Sequence, residues 1–171
     1  MRDGGARGRG AGWGRWGDRA ALSDNGGMHL VPDAAAYLAG RWHIERTVHD
    51  LRADTTGTFR GTADFTPEGP DGVLRHAEEG VLTWQGVEHP ATRTLWLRPR
   101  PDGTAAVTFE DGRPFHDLDL RSGRWTAVHP CAADHYEGTF TVLAADRWDL
   151  TWRVTGPHKD QLLRSVHRRA D

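Results

Sequence analysis

The stretch Gly40-Arg41-Trp42-His43-Ile44-Glu45-Arg46-Thr47-Val48 decides the fold. Trp42, Ile44, Arg46 and Val48 fall on one face, and His43, Glu45 and Thr47 on the other. That period of two is the mark of a half-buried β-strand, because successive side chains leave a pleated backbone on opposite sides. Just upstream, Pro32 to Ala39 suits a short helix, with Asp33 near its start and Gly40 as its stop.

The alternation continues downstream. A second strand is expected over about 56–66, with Phe59, Gly61, Ala63 and Phe65 opposing Thr58, Arg60, Thr62 and Asp64. Turn residues Pro67 to Gly72 then lead to a third, bulged strand near Val73 to Gln85. In the fourth, Thr92 to Arg98, Leu95 and Leu97 alternate with Thr94 and Trp96. Asp102-Gly103 and Asp111-Gly112 bracket Ala105 to Glu110 and feed Pro114 to Leu120. Further strands are expected at Arg124 to His129, Asp134 to Leu143, Arg147 to Thr155 and Lys159 to His167. About ten short strands joined by tight turns describe an antiparallel meander. A sheet of that length curls and closes, because closure removes exposed edges and creates one interior. A two-sheet sandwich is the alternative that the same alternation permits.

Composition narrows the function classes. At 171 residues the chain suits one domain. With 22 basic and 24 acidic residues and a net charge of -2, it has no field calling for nucleic acid or an anionic membrane. One cysteine forms no internal disulfide, and no apolar run is long enough to span a bilayer, so a cytoplasmic protein is expected. Residues 1–27 are rich in glycine and arginine and poor in apolar surface, and are expected to be a disordered tail. The barrel domain is then 28–171. Most of the eight tryptophans suit core packing.

Gly40-Arg41-Trp42 with Ile44 and Arg46 resembles the opening Gly-x-Trp strand of the calycin barrels, which include lipocalins, fatty-acid-binding proteins and nitrobindin-like proteins. The resemblance implies an all-β fold: a single antiparallel, calycin-like up-and-down barrel with a short N-terminal helix. It also implies that Trp42 closes the barrel base and that an arginine of the final strand, Arg164, packs across it. From Leu38 to Arg168 the chain resembles an actinobacterial and fungal family of unknown function. That resemblance rests on Gly40-Arg41-Trp42, Phe109 to Leu118, His129-Pro130-Cys131-Ala132-Ala133-Asp134-His135-Tyr136 and Gly156-Pro157-His158-Lys159-Asp160. It implies no reaction.

Four residues form the candidate catalytic set. His116 shares a face with Leu118 and Leu120 and can exchange protons near neutral pH. Asp134 and Tyr136, two apart, reach one cavity, the first orienting a histidine and the second donating to a substrate oxygen. Lys159 follows the turn Gly156-Pro157 and can hold an anionic oxygen. Arg46, Arg75, Glu79, Trp96, His129 and Trp152 are the candidate ligand-binding residues, with Glu78 facing solvent. Cys131 is expected as a small core residue, and His129, Cys131 and His135 lack the convergent spacing of a metal site. No metal or organic cofactor is implied. The leading reading is acid–base chemistry (isomerisation or cyclisation) on an apolar or aromatic metabolite, and the alternative is a non-catalytic binder of such a molecule. A small molecule is thus the expected partner, with a homodimer left open.

Overall fold

The computed structural model describes residues 28–171; the glycine- and arginine-rich segment with Trp13 and Trp16 lies outside them. A short helix, α1 (Ala34–Leu38), precedes ten strands: β1 (Gly40–Asp50), β2 (Thr55–Glu68), β3 (Val73–Trp84), β4 (Val87–Pro99), β5 (Ala105–Phe109), β6 (Pro114–Leu118), β7 (Arg124–Cys131), β8 (Asp134–Ala144), β9 (Arg147–Thr155) and β10 (Asp160–Arg169). They form one antiparallel sheet in the order β6-β5-β4-β3-β2-β1-β10-β9-β8-β7. Neighbours in sequence are neighbours in space, and β1 pairs with β10, as an up-and-down barrel requires.

Closure is nearly complete. The edge strands β6 and β7 share no ladder, and side chains span the seam between them. Trp125 Nε1 donates to the Asp117 carbonyl at 2.8 Å. The rings of Phe109 and Phe115 pack on His129, with centroids 5.5 and 5.0 Å away.

One end is plugged by α1. Asp33 caps it by accepting from the Ala36 amide, and Val31, Ala34 and Leu38 are buried. Trp42 is fully buried beneath the helix, donates from its indole to the Leu38 carbonyl at 2.8 Å, and meets Trp148 edge-on. The arginine over its ring is Arg169, at 4.2 Å, and not Arg164. Arg169 also donates to the carbonyls of Ala39 and Tyr37. Parity explains the correction: Arg169 is the residue of β10 opposite Trp42, and so shares its face, whereas Arg164 lies opposite Thr47 and is exposed.

β3 carries the larger correction. Leu74, His76 and Glu78 are buried, so Arg75 and Glu79 face outward and Glu78 faces in. The register with β2 forces this, since Phe65 and Ala63 of the interior face lie opposite His76 and Glu78. β3 carries no bulge against either neighbour. In β4, Leu95 and Leu97 point inward, which places Trp96 on the outer surface. Cys131, at the tip of the β7–β8 hairpin, is exposed instead of packed in the core. No helix among the described residues is long and apolar enough to cross a membrane.

Candidate functional site within the barrel

Three strands place one ionic cluster in the interior. Arg46 of β1 continues the inward face of Trp42 and Ile44; Glu78 follows His76 on β3; Arg93 precedes Leu95 on β4. Arg46 forks onto the Glu78 carboxylate, donating from Nη1 at 3.1 Å and from Nη2 at 3.0 Å. Arg93 Nη2 donates to Glu78 Oε1 at 2.6 Å, and Arg46 Nε donates to Ser165 Oγ at 2.8 Å. Burial alone would raise the pKa of Glu78. Arg93 and Arg46 more than reverse this and hold its carboxyl well below the usual carboxylate range.

The cluster lies between two cavities, both lined by Glu78 and Arg93. The inner one, about 40 Å³, is walled by aromatic rings, by His76 and by His116. The outer one, about 190 Å³, has an apolar wall of Val48, Phe59, Leu82, Ala91 and Leu163, with Arg46 on its polar side. Its wall comes from the ends of β1 and β10 remote from Trp42, and so lies toward the end that α1 leaves open.

Three histidines around the cluster are neutral at pH 7. Burial lowers the pKa of His76 to about 4 and that of His167 to about 3, with neighbouring Glu78 opposing and the arginines assisting. His76 stacks on Phe65, and His167 lies flat on Trp148. Burial likewise lowers His116 to about 4, against the effect of the Asp117 carbonyl. That carbonyl accepts from His116 Nδ1 at 2.8 Å, so in the neutral ring Nε2 keeps its lone pair.

Asp134, Tyr136 and Lys159 form a second group. A two-residue turn, with Ala132 at φ 53°, sets Asp134 opposite Cys131 and Tyr136 opposite His129. Gly156 leaves room for the Asp134 carboxylate, which a side chain there would strike. Lys159 Nζ reaches Asp134 Oδ2 at 2.6 Å and donates to the Tyr136 hydroxyl at 3.3 Å. Those hydrogen bonds, Asp134 first, raise the lysine's pKa, which keeps it an ammonium and a poor nucleophile.

The four candidate catalytic residues therefore divide. No hydrogen bond or ion pair among the described residues joins His116 to Asp134, Tyr136 or Lys159. Between them stand Phe115 and His129: Phe115 touches His116 at 4.8 Å and His129 at 5.0 Å, and His129 meets Tyr136 at 5.9 Å. Of the candidate ligand-binding residues, Arg46 lies in the ionic cluster and His129 at the seam. Trp152 is interior, stacked on Phe115 at 5.4 Å over the bare backbone of Gly138. Arg75, Glu79 and Trp96 lie on the outer surface. Among the described residues no three His, Cys, Asp or Glu side chains converge as a metal site.

Residues 38–169 match a family described as of unknown function, DUF6314. The chain belongs to that family. No curated protein matches it significantly. The S-type phycobiliprotein lyase CPES of Guillardia theta superposes on this DUF6314 protein with a TM-score of 0.63 at 13% identity, covering 89% of this chain and 99% of the other. Rv2717c from M. tuberculosis gives 0.52 at 11% identity, covering 81% of this chain and 96% of the other. At such identities these likenesses speak to the fold alone.

Sequence reasoning missed Glu78, Arg93 and His76. Arg93 was within reach, because it lies two residues before Leu95 and must share its face.

Proposed function

We propose that this protein binds an apolar or aromatic small molecule in the outer cavity, without transforming it. The observation that carries the reading is that cavity itself: about 190 Å³ with five apolar side chains around it and a few polar groups at one side, the lining of a ligand pocket at a size below the usual ~300–1,000 Å³ and so suited to a compact molecule. The activity for which the phycobiliprotein lyase is named belongs to that protein, and no reaction is carried over from it. Acid–base chemistry lacks geometric support because His116 and the Asp134, Tyr136 and Lys159 group do not share a site. A histidine whose pKa is about 4 is also a weak base at neutral pH.

Titration with a panel of small aromatic and aliphatic compounds, followed by tryptophan fluorescence, tests this reading. Compounds that bind are then recovered and identified by mass spectrometry. The expected result is saturable binding, unchanged compounds on recovery, and at least a roughly tenfold weaker affinity in Leu82→Trp, whose indole fills the cavity. Product formation, or affinity untouched in folded Leu82→Trp, would refute the proposal.

A further inference from the structure

Among the charged members of the cluster, hydrogen-bond donors outnumber acceptors, and the surplus sits on Arg93. Glu78 is the only carboxylate in the cluster, and Arg46 and Arg93 both bond to it. Arg46 is fully engaged, with its Nε on Ser165 and both terminal nitrogens on Glu78. Arg93 spends a single nitrogen on Glu78. Its Nε is buried and has no hydrogen-bond partner among the described residues. A buried N–H left without a partner costs free energy, so Arg93 is the charged member of the cluster with donor capacity to spare.

Charge points the same way. Two guanidiniums share one carboxylate, which leaves a net positive charge beside an apolar wall, partly screened by solvent because the Arg93 side chain is 37% exposed. The three neighbouring histidines add none at neutral pH, since burial keeps each uncharged. A cation would be repelled, and a neutral body would leave the charge unanswered. A dianion would carry more charge than the site offers.

We infer that the outer cavity takes a compact apolar or aromatic monocarboxylate, whose carboxylate pairs with the Arg93 guanidinium at the cavity's polar side while its body lies against Phe59, Leu82 and Leu163. A guanidinium edge matches a carboxylate in shape as well as charge. Glu78 is a positioning residue: it holds Arg93 by one nitrogen, and Arg93 lines the cavity. This inference rests on the binding role proposed above and names its ligand class.

A matched pair of probes separates the two ideas. Calorimetric titration of the full chain with 1-naphthaleneacetate and with 1-naphthaleneacetamide compares the same aromatic body with and without its charge. The acid is expected to bind at least about tenfold more tightly, the equivalent of one charge-assisted hydrogen bond. Arg93→Met should erase that preference, bringing the acid's affinity down to or below the amide's. Arg93→Lys, which keeps the charge and loses the planar fork, should retain part of it. The wild-type comparison holds even if a variant fails to fold. Equal binding of acid and amide would overturn the monocarboxylate inference while leaving the binder reading intact, as would a preference that survives in folded Arg93→Met. Binding of neither probe at millimolar concentration would overturn both.

Discussion

Glu78→Leu should be among the most destabilising single changes in the barrel. Glu78 is 4% exposed and Arg46 13%, so removing the carboxylate strands the Arg46 guanidinium in a nearly dry interior. The three hydrogen bonds from Arg46, at 3.0, 3.1 and 3.1 Å, disappear, and the serine hydroxyl that remains cannot neutralise the charge. Breaking a buried pair from one side typically costs ~3–5 kcal/mol. Against a usual domain stability of ~5–15 kcal/mol, that is about a fifth or more of the total. With a slope of ~1–3 kcal/mol/M, the midpoint of urea unfolding should fall by about 2 M. Arg46→Met combined with Glu78→Leu should recover most of the loss, since apolar replacement of both partners is often neutral or better. Arg93 remains in that double variant, but at 37% exposed its side chain can turn to water. Glu79→Gln, one residue further along on the outer face, should stay within ~0.5 kcal/mol of the parent. A Glu78→Leu protein within ~1 kcal/mol of the parent, or a double variant no better than the single one, would refute the buried-charge argument.

Arg169→Ala should lower stability by ~1.5–3 kcal/mol, because it removes the cation over Trp42 and two bonds to backbone carbonyls; Arg164→Ala should change it by less than ~0.5 kcal/mol. Thermal melts of the two variants decide which arginine closes the base. Stability should also be lost on acidification. The folded pKa of His76, about 4, lies below the ordinary histidine value of 6.5, so the unfolded chain binds the extra proton and stability falls as pH drops through that window. The difference corresponds to about 3 kcal/mol for His76; His116 and His167 act in the same sense, and Glu78, depressed below 4.5, gives up its contribution at lower pH still. Urea unfolding between neutral pH and about pH 4 checks the sign: stability that rises on acidification would contradict buried neutral histidines.

The fold was legible wherever one strand face was plainly more apolar than the other. Trp42, Ile44, Phe59 and Phe65 fixed β1 and β2 without ambiguity, and Asp134 and Tyr136 shared a face because they stand two apart. β3 offered no such contrast. Val73, Ala77 and Val81 are about as apolar as Leu74 and Leu82, so composition does not say which set is inside. Its face is set by the length of the turn from β2, which brings His76 opposite Phe65. A slip of one residue exchanges the two faces, and it exchanged Glu78 for Glu79 in the sequence reading. The final strand posed the same problem with arginines at 164, 168 and 169, and pairing with β1 selects the last.

The consequence of that slip reaches beyond one glutamate. With Arg75 and Glu79 inside, the barrel would hold a local pair two turns of the pleat apart on one strand, able to satisfy itself. With Glu78 inside, the carboxylate draws its partners from two other strands, one on each side of the cavity. It is too small to satisfy both. An apolar interior would be the simpler way to stabilise such a barrel, since a buried ionic cluster gains little over well-packed hydrocarbon and a half-satisfied one loses. The strain of that arrangement falls on Arg93, the member nearest to solvent and the one that lines both cavities. Solvent answers part of that charge, and a carboxylate in the outer cavity would answer it better, so the cluster that gains the barrel little stability is the one suited to select its ligand.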